Sequence, residues 1–119
     1  MASYIWSIDG NSGDLVSLIA RLKTSVISAP LNMFASVTVY SITDMVNKVL
    51  AAAGSDMISR LVIYGHAASG AQCVGCGNVG NIAKNKKDEF LMVAIADGKL
   101  MNNAEQALSR LVPKLAHDA

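Results

Sequence analysis

The chain has 119 residues, which suits one domain with a single core. It is 52% hydrophobic and 16% charged, with a formal net charge of +1, so it lacks the basic stripe of a nucleic-acid binder. Its longest unbroken apolar run, residues 90–96, is far too short to cross a bilayer, so no membrane partner is expected.

Tyr4-Ile5-Trp6-Ser7-Ile8 is aromatic and β-branched and runs into Asp9-Gly10-Asn11-Ser12-Gly13, which predicts a first strand stopped by turn residues. Asn11 or Ser12 caps the next segment, where Leu15, Leu18, Ile19, Leu22 and Val26 recur at helical spacing from about Asp14 to Val26. Residues 35–42 predict a second strand. Thr43 is the expected N-cap of a second helix, whose stripe is Met45, Val46, Val49, Leu50 and Ala53 and whose C′ residue is Gly54. Residues 59–64 form a third strand that delivers the chain to Gly65-His66.

The resulting β-α-β-α-β order favours parallel strands joined by right-handed crossovers. Past Gly65 the order breaks. Residues 71–74 read as a short hairpin strand, and 75–87 read mostly as loop. The basic cluster Lys84-Asn85-Lys86-Lys87 precedes Asp88 and Glu89 and fits a solvated loop better than a phosphate contact. Residues 90–96 are a further strand with little alternation, buried on both faces or lying in an interface. Asp97-Gly98 then turns the chain into an arm at 99–101. Asn102 or Asn103 caps a last helix with Ala104, Ala107, Leu108, Leu111, Val112 and Leu115 on one face, kinked or ended by Pro113. The fold class expected is α/β: a small three-layer single domain over 1–119, with a mainly parallel β-sheet, flanking helices and a glycine-rich hairpin or loop insertion.

Chemistry concentrates between Gly65 and Gly77. His66, Cys73 and Cys76 lie within eleven residues there, and the chain's second histidine is in the C-terminal tail. The spacing H-x6-C-x2-C offers zinc three ligands, with a carboxylate or water as the fourth, although the second Cys-x-x-Cys pair of most structural zinc sites is absent. The alternative is that Cys73 and Cys76 are small buried residues of a tight turn. The deaminase pattern fails because Ala68 stands two after His66 and no proline precedes Cys73. A redox Cys-x-x-Cys is opposed by Gly75, Gly77 and Gly80, which disfavour a helix starting at the first thiol. Gly75-Cys76-Gly77-Asn78-Val79-Gly80 matches G-x-G-x-x-G literally, but outside the first βαβ unit that the dinucleotide motif requires. No cofactor is expected.

The strand ending in Ile63-Tyr64-Gly65-His66, followed by Ser69-Gly70 and Val74-Gly75, is similar to the histidine loop of caspase-like α/β proteins, the group of caspases, gingipains and related bacterial domains. The resemblance covers residues 58–77 and the β-α order upstream. It implies that His66 is the general base or orients a thiol. In that family the nucleophilic cysteine ends the next core strand, after a further helix, and neither Cys73 nor Cys76 occupies that position. The family's second glycine is Ala67 here. The nucleophile strand is absent before Ala119.

The reading that follows is a non-catalytic binding or interaction module, with Gly65, His66, Ser69 and Gly70 as the ligand-binding residues. One alternative is a cysteine-dependent hydrolase with His66, Cys73 and Cys76 as catalytic candidates. The other is a metal-binding protein using His66, Cys73 and Cys76 as ligands. His66 is expected at the carboxyl end of a central strand, lining a cleft. Residues 1–4 resemble no signal peptide and two cysteines make no disulfide framework, so a soluble cytoplasmic protein with reduced thiols is expected. The apolar run at 90–96 and an open sheet edge predict a two-fold homodimer through residues 90–101 with Leu108, Leu111 and Leu115, and they leave room for another protein partner.

Overall fold

The computed structural model describes residues 4–26, 34–68, 71–77, 91–96, 99–100 and 104–116. In chain order these form β1 (Tyr4–Asp9), α1 (Gly13–Val26), β2 (Phe34–Val39), α2 (Ile42–Ala53), β3 (Arg60–Tyr64), β4 (Ala67–Ala68), β5 (Ala71–Cys73), β6 (Met92–Ala96), β7 (Lys99–Leu100) and α3 (Ala104–Ser109), with a 3-10 turn over Val112–Lys114. The fold is α/β, as the alternating pattern implies.

β1 pairs in parallel with β2 on one side and β3 on the other, so the sheet order is β2-β1-β3. The register sets Asp9 beside Val39 and Ile8 beside Tyr64, and the three carboxyl ends finish at one rim. Ile5, Ser7 and Asp9 are buried, and so is Ile8 on the alternate face. A strand buried on both faces has no need of polar alternation, which explains the nearly continuous apolar reading of β1. Trp6 meets Tyr64 edge to face, with ring centroids 5.3 Å apart, and ties β1 to β3. The central strand is therefore β1. β3, which leads to His66, flanks it.

The glycine-rich insertion builds a second, antiparallel sheet of order β4-β5-β6-β7. The apolar strand expected at 90–96 belongs to this sheet as β6, and its neighbours explain its composition. Met92 is buried with Cys73 and Cys76, while Val93 packs against the main core. Both faces of β6 are thus covered within the chain at these two positions. Leu111 is buried in the main core, and Leu108 and Leu115 pack against it. Phe90, Asp97, Gly98 and Met101, like Asn102 and Asn103, lie outside the described residues.

The main core joins Ile5 and Val39 of the sheet to Ile42, Met45, Val46, Val49 and Ala53 of α2. α2 starts earlier than Thr43 because Ser41 is its cap: the Asp44 amide donates to Ser41 Oγ at 3.0 Å, and the Asp44 carboxylate accepts from the Tyr40 amide at 3.1 Å. This reciprocal pairing ends β2 at Val39 and makes Ile42 a buried helical residue rather than a strand end. Gly54 terminates the helix at φ 60°. On α1, Leu18 is 43% exposed, so it does not carry the sheet contact that its spacing suggested. α3 stops at Ser109, and Pro113 sits in the first turn of the 3-10 segment, where its missing N–H does least harm. Val112 is 64% exposed and leaves the stripe. The chain then returns to the segment just before β3: the Ile58 amide donates to Lys114 O at 2.7 Å, and the Ala116 amide to Ile58 O at 2.8 Å. Among the described residues no helix is long and apolar enough to cross a membrane.

Candidate functional site

The carboxyl rim of the parallel sheet is roofed by the turn Cys73-Val74-Gly75-Cys76-Gly77. Asp9 ends β1 and is fully buried. Its Oδ1 accepts from the Asn11 amide at 2.9 Å, an Asx turn that bends the chain out of the strand, and its Oδ2 accepts from the Gly77 amide at 2.8 Å. Asn11 Nδ2 donates to Gly75 O at 2.7 Å. The strand-ending loop therefore grips the turn at two points 64 and 68 residues away in sequence. Ser12 caps α1, with Oγ accepting from the Leu15 amide at 3.4 Å.

Two glycines make the close approach physically admissible. A Cβ on Gly75 would run into the carbonyl of Tyr40, at the end of β2. One on Gly65 would run into the carbonyl of Cys73. Gly77 adopts φ 92°, where an L side chain is strained. The roof is also stitched to the third strand. The Cys73 amide donates to His66 O at 2.9 Å, and Gln72 Nε2 reaches both Gly65 O and Cys73 O at 3.1 Å. From the other side, the Val74 and Gly75 amides donate to Leu91 O at 2.9 and 3.0 Å.

Cys73 and Cys76 are joined in a disulfide, and both are buried, so neither is the free thiol expected. The group whose ligand atoms lie within 4.8 Å of one another is Asp9, Cys73 and Cys76. His66 is not part of that group. It is half-buried beside it, bonded to Cys73 through its backbone. Gly65 meets the site through backbone contacts alone, and Ser69 and Gly70 lie outside the described residues. The sequence reading thus finds the two sulfurs and the adjacent histidine but gives Asp9 no more than a turn role and Asn11 no more than a turn or cap role. A signal was available: a carboxylate at the carboxyl end of the first strand in a parallel β-α-β order stands where α/β sheets bind ligands.

The fold and site together define a small α/β protein whose parallel-sheet rim is covered by its own glycine-rich turn. Comparison of the chain with protein-family models, curated proteins and solved structures gave no match.

Proposed function

We propose that the chain is a non-catalytic binding module that takes its ligand beside the roofed carboxyl rim, where the half-buried His66 follows β3, with Gly65, His66, Ser69 and Gly70 in contact with it. The strand order β2-β1-β3 carries this reading. From β1 the chain crosses to one side to form β2, then returns past β1 to form β3. The two connections run in opposite directions across the sheet, and open α/β sheets bind ligands outside the carboxyl ends of their strands near such a reversal. Asp9 ends β1 and His66 follows β3. The same reversal supports three layers, because right-handed crossovers running in opposite directions set α1 and α2 on opposite faces of the sheet.

A thiol hydrolase would need a free sulfur within reach of the imidazole. With Cys73 and Cys76 bonded to each other neither sulfur is available, so the choice between the readings rests on the reduced protein. Iodoacetamide labelling tests the choice. After reduction the module's thiols should react slowly across neutral pH, at a rate unchanged by His66→Ala. Rapid labelling of one cysteine that is lost in His66→Ala would establish the hydrolase and end this reading.

We also propose a cytoplasmic location, where the disulfide would stand open as a dithiol, and a two-fold homodimer. β2 supports the dimer, because it is an edge strand of the parallel sheet, with no strand on its outer side among the described residues.

A further inference from the structure

We propose that the reduced protein holds a thiophilic divalent cation of the zinc class between Asp9, Cys73 and Cys76, and that the disulfide is the metal-free form of the same site. The inference is independent of the binding-module reading, which needs no metal.

Tetrahedral zinc with sulfur bonds of about 2.3 Å and an oxygen bond of about 2.1 Å sets its ligand atoms about 3.5–3.8 Å apart. The Asp9 carboxylate oxygen and the two bonded sulfurs lie within 4.8 Å of one another, and reduction lets the sulfurs part to chelating distance. Cys-x-x-Cys is a common spacing for a zinc chelate, and here its Cα atoms are 5.4 Å apart, which lets both sulfurs converge on one point. All three residues are buried. The carboxylate comes from the rigid end of the central strand and is oriented by the Gly77 and Asn11 amides. Those two bonds use part of its acceptor capacity and leave lone pairs for a cation. Outer partners of this kind hold a metal ligand in one orientation.

Binding changes the charge of the site. The metal-free dithiol is neutral at both sulfurs, and loading converts them to thiolates, which with the carboxylate make three negative charges. A divalent cation cancels two of them. Two sulfur ligands select a soft or borderline metal over magnesium or calcium. With three protein ligands, the fourth position falls to water or to a ligand of the protein.

The interconversion balances. A dithiol reductant delivers two electrons and two protons to the Cys73–Cys76 bond and leaves as its own disulfide. The cation then displaces both thiol protons to solvent as the metal–sulfur bonds form. A disulfide oxidant reverses the step: the two thiolates give two electrons to its sulfur–sulfur bond, which takes two protons from solvent and leaves as a dithiol, while the Cys73–Cys76 bond re-forms and the cation is released.

Cobalt(II) is the probe. The protein is reduced with dithiothreitol, freed of reductant by gel filtration without air, and titrated with cobalt(II), then with zinc in competition. The reduced chain should take up one cobalt with thiolate-to-metal charge transfer and tetrahedral d–d bands, and the oxidised chain should take up none. Asp9→Asn and Cys76→Ser remove ligands and should each weaken binding by more than the roughly 10- to 100-fold that losing an outer partner costs, while His66→Gln should leave it within about twofold. Because Asp9→Asn could unfold the chain, zinc-edge X-ray absorption on the unaltered protein supplies a second reading: two sulfur scatterers with light-atom ligands and no imidazole pattern. Reduced protein that stays folded yet takes up no cobalt would overturn the proposal. So would an imidazole signature, or binding that disappears in His66→Gln and persists in Asp9→Asn.

Discussion

Gly75 shows how one residue constrains the rim. Its α-carbon lies so close to the Tyr40 carbonyl that a methyl group has no room, and the opposing atoms are backbone that cannot swing away. Gly75→Ala should therefore cost about 1–3 kcal/mol in urea unfolding, with a near-UV circular dichroism change from Tyr40. An unchanged midpoint would mean that the turn does not sit on the strand ends. Ser7 makes the opposite case. Its hydroxyl is buried in the middle of β1 and has no hydrogen-bond partner among the described residues. A buried polar group without a partner keeps its desolvation penalty. Ser7→Ala removes that group and almost no volume, so it should raise stability by about 1 kcal/mol in the same measurement. Loss of stability would imply a partner for the hydroxyl.

At the scale of elements, α2 is the best-determined piece. It has an apolar stripe, a side-chain cap at Ser41, an acidic first turn at Asp44 and a positive-φ glycine at its end. Asp44 also pairs with Lys48 at 3.1 Å, one turn on, and Lys48 reaches Thr38 O at 2.6 Å. The Asp44–Lys48 pair is solvent-facing and adds little. The cap matters more, because it satisfies an amide at the buried junction with β2. Ser41→Ala should destabilise the protein by about 1 kcal/mol, whereas Thr43→Ala should be close to neutral. Thermal unfolding of the two variants separates the assignments, and equal losses would contradict the cap. The cap was misassigned from sequence for a plain reason. Tyr40-Ser41-Ile42 continues the β-type composition of β2, and only Ile42's burial in the core with Met45 and Val46 reveals it as helical.

At the scale of the whole molecule, β6 decides between a core role and an interface. Val93 packs against the main core, opposite Met92, which faces the cysteines. Val93→Lys should therefore unfold the chain, at a cost of more than about 2 kcal/mol, rather than release folded monomers. Light scattering with circular dichroism distinguishes the outcomes: a folded protein of halved mass would restore β6 to a dimer interface. A two-fold dimer formed by strand pairing would use an edge strand, and β2 has no strand on its outer side among the described residues.

What the sequence alone determined is local. Period and punctuation carried β1, α1, α2 and β3, because an amphipathic stripe at Met45–Ala53 or a turn at Asp9–Gly13 expresses forces acting within a few residues. The alternation of strand and helix carried the parallel pairing for the same reason, since connection length and chain handedness limit the choices. His66, Cys73 and Cys76 were legible as a cluster because they are neighbours in the chain. Only the tertiary structure made β1 central, since strand order depends on which face each crossover packs against. Only it moved 92–96 into a second sheet, because an apolar run without alternation fits either sheet equally well. Asp9 and the cysteines meet across more than sixty residues of intervening chain, joined by the Gly77 amide and a close approach that Gly75 permits. No local pattern encodes such a meeting, because it exists only once three strands end at one rim and the turn folds down over them.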